Sequence, residues 1–307
     1  MQASVTLKPY KSFQEQLEIL KARGLIIDDE SKALGYLQTL GYYRFSGYFY
    51  PFRVIENGKR LDTFLPDTHF QTVKDLYMFD KKLRQLALDA LERIEVAMRV
   101  QIVYQLAKRS QTAYLDANNF DKEFDHADWL YRFNKKLKDH KKNDFVKHNL
   151  NVYGVLPMWV ACEIWDFGAM SKMYEGIQST DKEKIASYFN FAGAKQLESL
   201  LKSFNFIRNI SAHYSRLWNR IMVQKFSLKG DEFESDTNWQ KFSVNRTFIY
   251  FCLMKRMLDI LCPNSQWGNR FLEALEEFPA CSNNAISLKD LGLTVSIEEL
   301  KKWDLWK

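Results

Sequence analysis

The sequence predicts an all-α protein, and three observations carry that reading. Glycine (12) and proline (6) are scarce among 307 residues, which disfavours a sandwich or barrel built on many tight turns. From Asp67 to about Arg109 there is hardly a breaker, and Leu83, Leu86, Ala87, Ala90, Leu91, Ile94, Ala97 and Met98 keep the 3.6-residue period. Capping signals punctuate the rest of the chain at helical intervals.

Each element follows in order. Ser12 with Glu15 reads as a capping box and Gly24 as the stop of the first helix. A second helix runs from about Asp29 to Leu40 and ends at Gly41. An aromatic segment, 42–53, follows. Asn57-Gly58 marks a turn, the tip of a small hairpin within about 50–65. Asp67 to Arg109 is one long helix or two joined by a kink. Residues 128–148 read as a basic helix, and Pro157 at a first-turn position opens an apolar helix to about Tyr174. Thr180 with Glu183 caps the next helix, and two more run roughly 193–207 and 209–226. A polar loop, Lys229 to Asn238, precedes the C-terminal helices, the last capped by Ser296 with Glu299. The expected organisation is an N-terminal helical and aromatic segment (1–66), a helical core (67–228) and a C-terminal helical extension (229–307).

Composition narrows the class. Hydrophobic residues at 46% and charged residues at 27% describe a globular chain with ample core. A net charge of +6 leans mildly towards polyanions, as it does in many proteins without a nucleic-acid partner. Cys162, Cys252, Cys262 and Cys281 lie far apart with no C-x-x-C pair and read as reduced core thiols. His69, His126, His140 and His148 have no metal-ligand spacing with cysteines or acids, so no metal and no cofactor is expected. Neither a P-loop nor G-x-G-x-x-G nor G-x-S-x-G is present, which leaves nucleotide hydrolysis and serine hydrolase chemistry without support. Met1 to Pro9 lacks an apolar h-region, and the longest apolar run, around Phe248 to Met254, is too short to span a bilayer. The expectation is a cytoplasmic protein with no membrane partner.

The chemistry concentrates in Arg208-Asn209-Ile210-Ser211-Ala212-His213 and its continuation through Arg216, Asn219 and Arg220. Fifteen arginines and five histidines make roughly 0.7 chance matches of this Arg-x(4–6)-His type, so the bare pattern proves little. The surroundings say more. If 209–221 is helical, Asn209, His213, Arg216 and Arg220 form one polar stripe without an acid, and Ile210, Tyr214, Leu217 and Ile221 form an apolar one. Arg208, about 140° around from His213, reaches the same site only if the helix starts near it or its side chain wraps. At a helix N-terminus it would add free N–H groups to a phosphate site. The plain alternative is a basic surface helix that binds an acidic patch, with His213 a bystander.

On these residues the chain resembles known proteins. Arg208-Asn209-x-x-Ala212-His213 is similar to the R-N-x-x-x-H signature of HEPN domains, all-α ribonuclease folds. More widely the chain resembles the Abi abortive-infection family of bacterial phage-defence proteins, the AbiD/AbiF-like group. The likeness runs through Lys8-Pro9-Tyr10, Leu25-Ile26-Ile27, Leu40 to Tyr48, Asp80 to Arg84 and Leu91 to Arg99, and covers about the first 225 residues. It implies a HEPN-like helical bundle with added N- and C-terminal helices, metal-independent endoribonuclease chemistry, RNA as substrate, and a homodimer with two Arg/His sets facing each other. It also implies a structured non-coding RNA as a possible partner.

Metal-free cleavage of RNA needs the 2′-OH deprotonated, the phosphorane stabilised and the 5′-oxygen protonated. His213 would be general base or acid, and Arg208 would clamp the phosphate oxygens through its planar fork. Asn209 would orient His213 or hold a phosphate, and Arg216, Asn219 and Arg220 would position the strand. One motif histidine supplies a base or an acid, and a dimer supplies both. Glu92, Glu95 and Arg99 form a second polar set on the long helix, either tuning Arg208 and His213 or making a plain surface salt bridge. Segment 42–53 with Arg44 is core or a base-stacking platform. Lys135, Lys136 and Lys138 meet RNA backbone or lie on a solvated face. The competing class is a non-catalytic RNA-binding protein of the same fold, a sensor or scaffold.

Overall fold

The structure, a computed structural model, describes residues 7–307, so the expectation placed on the first six residues lies outside the described residues. The all-α expectation holds: helices dominate, and the only strands among the described residues form one short hairpin. The chain divides into two compact units. One comprises the described residues up to Lys82 together with Glu273–Asp290, the other Leu83–Leu272 with Leu291–Lys307.

In the first unit, α1 (Phe13–Ala22) starts with the Ser12/Glu15 capping box and packs on α2 (Glu30–Leu40), capped by Asp29. The aromatic segment then forms α3 (Tyr42–Phe49). Phe45, Tyr48, Phe49 and Phe52 are buried, while Tyr43 and Arg44 stay exposed, so most of this segment is core. The Tyr48 hydroxyl donates to the buried Asp80 carboxylate at 2.6 Å. Strands β1 (Arg53–Glu56) and β2 (Lys59–Phe64) pair antiparallel around Asn57-Gly58. Both turn residues have positive φ (50° and 74°), which the Asn-Gly pair supplies at least cost.

The periodic run is one helix, α4 (Phe70–Ala107), and the unit division falls within it after Lys82. Beyond the division, Leu91, Ile94, Met98, Ile102 and Leu106 are fully buried in the second unit.

Two expected helices are broken. The basic stretch splits into α5 (His126–His140) and α6 (Asp144–Tyr153), because Asn143 turns extended and opens a new helix. The stretch after Pro157 splits into α7 (Met158–Ala161) and α8 (Phe167–Gly176). Asp166 breaks it by accepting the Ala169 N–H at 2.7 Å as an N-cap. The expected pair of helices at 193–207 and 209–226 is corrected below. Helix α9 (Ser179–Tyr188) starts after Gln178 without the expected Thr180 cap, and the Glu183 carboxylate instead accepts the Ala194 N–H at 3.0 Å. Gly176 sits where a Cβ would lie 2.6 Å from the Phe124 ring, so only glycine fits that approach.

Helix α10 (Ala194–Ala212) packs on α8 and α9. After the short α11 (Asp231–Glu234), α12 (Phe248–Leu261) is buried on nearly every side. It packs under α13 (Trp267–Glu276), with Phe251, Phe271 and Trp306 stacked at 4.6 and 5.2 Å. The last helix, α14 (Ile297–Leu300), carries the Ser296 cap as expected. All four cysteines are free, Cys162 and Cys252 buried and the other two half-buried. No helix among the described residues is long and apolar enough to cross a membrane.

Candidate functional site

The motif is not a helix of its own. Arg208 and Asn209 lie in the last turns of α10, and His213 is its C-cap. The expected helices at 193–207 and 209–226 are therefore corrected to one helix followed by irregular chain. Tyr214 takes a left-handed conformation (φ 58°). Its N–H donates to Ser211 O at 3.1 Å and the Ser215 N–H to Ile210 O at 2.9 Å, the paired bonds of a Schellman stop. A bulky residue at that position is strained.

The two stripes expected on a helix over 209–221 accordingly do not exist. Tyr214 and Ile221 are exposed while Ile210 and Leu217 are buried. Nor is Arg208 at a helix N-terminus: this end of α10 presents carbonyls, not free N–H groups.

What replaces the helix is a strap that runs back along α10. The Arg220 guanidinium lies over the Phe206 ring at 5.6 Å, Ser203 Oγ donates to Gln224 O at 3.1 Å, and Gln196 Nε2 donates to Ser227 O and Lys229 O. Leu217, Trp218, Met222 and Phe226 anchor it in the core. Arg216 is half-buried, Arg220 exposed, and the Asn219 carbonyl accepts from Arg246 Nη1 at 3.1 Å. The motif cations thus stay beside α10 through a return of the chain, not through helical periodicity.

A charge cluster surrounds Arg208. On α4, Arg99 bonds the Glu95 carboxylate and the Trp165 carbonyl, and its Nη1 lies 3.7 Å from Glu163. Lys136, on α5, bonds Asp166. The Arg208 charge acts on both Glu95 and Asp166. Arg208 Nη1 donates to Asn209 Oδ1 at 3.4 Å, and Asn209 Nδ2 donates to Asn205 Oδ1 at 3.5 Å, both long.

Burial raises the Glu95 carboxyl, against the opposing charges of Arg99 and Arg208. Burial also pushes on Asp166. There the Lys136 bond, the Ala169 N–H and the charges of Lys136 and Arg208 outweigh it and hold the carboxyl below its usual range. Burial, with Glu163 adding, pushes the neighbouring Cys162 thiol up to about 12, so it stays neutral near pH 7.

Glu95, Arg99, Lys136, Arg208 and Asn209 are thus brought together. The Glu95–Arg99 pair is about five-sixths buried, which corrects the reading of it as a surface salt bridge. Glu92, Lys135 and Lys138 are exposed and lie outside the cluster's bonds, and Arg44 belongs to the first unit. Sequence reading missed Asp166, Glu163 and Asn205. Asp166 had a usable signal, since an Asp three residues before Ala169 inside an apparent helix is a cap in waiting.

Beside the cluster opens a cleft of about 1130 Å³, walled by Trp129, Phe133 and Trp165 and sharing Lys136, Asp166 and Asn205. Seven acids and five bases line it, so it is no phosphate groove in itself. Among the described residues no group of three or more His, Cys, Asp or Glu is placed to hold a metal ion.

Two outcomes are expected. Tyr214→Gly removes the left-handed strain and raises stability by about 1 kcal/mol in urea denaturation, whereas Tyr214→Val lowers it. Asp166→Asn keeps a capping side chain but loses the charge that holds Lys136. Because the folded carboxyl is depressed, its contribution is present above the ordinary value of 3.8 and is lost as pH falls through the lower folded value. The melting-temperature gap between wild type and Asp166→Asn, open at pH 7, should therefore close as the pH is taken below 3.8.

Comparison with known proteins bears on residues 35–219, which match the family described as Abi-like protein. No curated protein and no solved structure matches the chain. The match spans more than half of the sequence and takes in α4, α5, α8 and α10, the helices that carry the cluster; the chain belongs to the Abi-like protein family.

Proposed function

We propose that the protein is a HEPN-type endoribonuclease of phage defence that cleaves RNA without a metal ion. The observation that carries this reading is the placement of half-buried Arg208 and exposed His213 on the terminal turns of one helix in an Abi-like chain. Helix geometry sets their Cα atoms about 9 Å apart. One phosphodiester can be met by both if the Arg208 side chain wraps towards the helix end.

Arg208 would bind the non-bridging phosphate oxygens, within the field of Glu95 and Asp166. His213, exposed at the C-cap, is free to approach the 2′-OH or the leaving 5′-oxygen. Asn209, Arg216, Asn219 and Arg220 would position the strand, and Lys135 and Lys138 on α5 would meet backbone phosphates of a structured RNA partner. Two copies of the chain would supply one histidine as base and the other as acid.

A second reading has its own observation. Arg208 already acts electrostatically on two carboxylates, Glu95 and Asp166, as a structural arginine would, which suits an RNA-binding scaffold that does no chemistry.

Variants separate the two. In EDTA, Arg208→Ala and His213→Ala are each expected to lower cleavage of single-stranded RNA by on the order of 10²–10³-fold, with RNA binding by His213→Ala largely retained. RNA bound by wild type and variants alike, and cut by none with or without Mg²⁺, would establish the scaffold reading instead.

A further inference from the structure

Tyr214, directly after His213, holds a left-handed backbone (φ 58°) that a bulky side chain adopts only under strain. Its ring is 67% exposed, so little buried area offsets that strain. Glycine would make the same Schellman turn without it. What the strained turn changes is where the ring goes. Carried on as helix, residue 214 would follow Ile210 at +4, and Ile210 is buried. The left-handed turn takes the ring off that face and leaves it largely in solvent, beside the motif histidine. Consecutive Cα atoms are about 3.8 Å apart, so the ring and the imidazole reach the same stretch of a bound strand. Strain that burial does not offset is a mark of function.

We propose that the Tyr214 ring is a stacking platform for an unpaired RNA base next to the phosphate met by Arg208 and His213. The proposal rests on the RNA reading of this turn given above and adds a residue that holds the strand by a base. Phe206, Asn209 and His213 follow one another at +3 and +4 and share a face of α10 with no acid among them. Over this face the strap lays the Arg220 guanidinium, 5.6 Å from the centre of the Phe206 ring. A strand lying here meets an amide, an imidazole and a guanidinium along its backbone, and Tyr214 at the helix end. Aromatic faces take unpaired bases of any sequence, whereas the bases of a duplex are already stacked on one another. Tyr214 is therefore a positioning residue, fixing the nucleotide on one side of the scissile phosphate and favouring single strands.

The test is affinity in EDTA, read by fluorescence anisotropy in a His213→Ala background so that binding is measured without cutting. Two probes are compared, a short single-stranded RNA of mixed sequence and an oligomer of the same length whose riboses carry no base. Tyr214→Gly should weaken binding of the RNA by on the order of tenfold and leave the abasic oligomer unaffected. Tyr214→Asn, which also accepts the left-handed turn, should match Tyr214→Gly, and Tyr214→Phe, which keeps the ring, should match the starting protein. Glycine and asparagine relieve the turn, so urea denaturation should find both variants no less stable, and lost binding is then not lost folding. Unchanged RNA binding by Tyr214→Gly, an equal loss for the abasic oligomer, or Tyr214→Phe as weak as Tyr214→Gly would overturn the proposal. Cleavage is read separately with His213 in place, where Tyr214→Gly should raise KM by about tenfold and change kcat less. A protein that binds RNA through the ring and never cuts it would sink the ribonuclease reading and leave the platform standing. Cleavage with a KM indifferent to Tyr214→Gly would do the reverse.

Discussion

The second unit depends on how a few half-buried charges are shared around Arg99 and Asp166. Arg99 holds Glu95 of its own helix and the carbonyl of Trp165. Asp166, the next residue, caps α8 and takes Lys136 from α5. Arg208 of α10 completes the set through its field on both carboxylates. Each of these ions has lost part of its water and is compensated by the others together with the Trp165 carbonyl and the Ala169 N–H. Removing any one leaves a partner uncompensated, which costs more than the pair itself contributes. Helices α4, α5 and α8 are thereby tied together beside the end of α10, where the motif arginine emerges.

That arrangement has a consequence for chemistry. Arg208 stands in the field of two carboxylates, Glu95 and Asp166, without bonding either directly. In the proposed reading, a phosphate brought to Arg208 would also meet the opposing charge of Glu95 and Asp166. The raised Glu95 carboxyl eases this, since it is the member of the pair that takes a proton more readily than usual. His213 is under no such restraint, being exposed at the end of α10. The Schellman stop fixes its backbone, with strain stored at Tyr214 rather than at the histidine.

Much of the fold was legible in the sequence because its signals are local. The Ser12/Glu15 box, Gly41, the Asn57-Gly58 turn, the period of α4 and the Ser296 cap all act over four residues or fewer. The failures were also local in appearance but tertiary in cause. Tyr214 stops α10 without the glycine that normally signals a stop, so the reading ran on. Buried Ile210 and Leu217 then mimicked a helical heptad, though a strap anchored by Trp218 and Met222 places Leu217. Asp166 was lost inside an apparent apolar helix and with it the centre of the cluster. The sequence named Glu95, Arg99, Lys136 and Arg208 from three separate segments. That they meet follows only from the packing of α4, α5, α8 and α10.

The central claim, metal-free transesterification by the Arg208 and His213 turn, is most directly tested by the chemistry of the ends it leaves. Purified protein would be incubated in EDTA with end-labelled single-stranded RNA, and the products resolved by their termini. The account predicts 2′,3′-cyclic phosphate and 5′-hydroxyl ends, the mark of attack by the 2′-OH. Products carrying 3′-hydroxyl and 5′-phosphate ends, or RNA that stays intact under every condition, would contradict it.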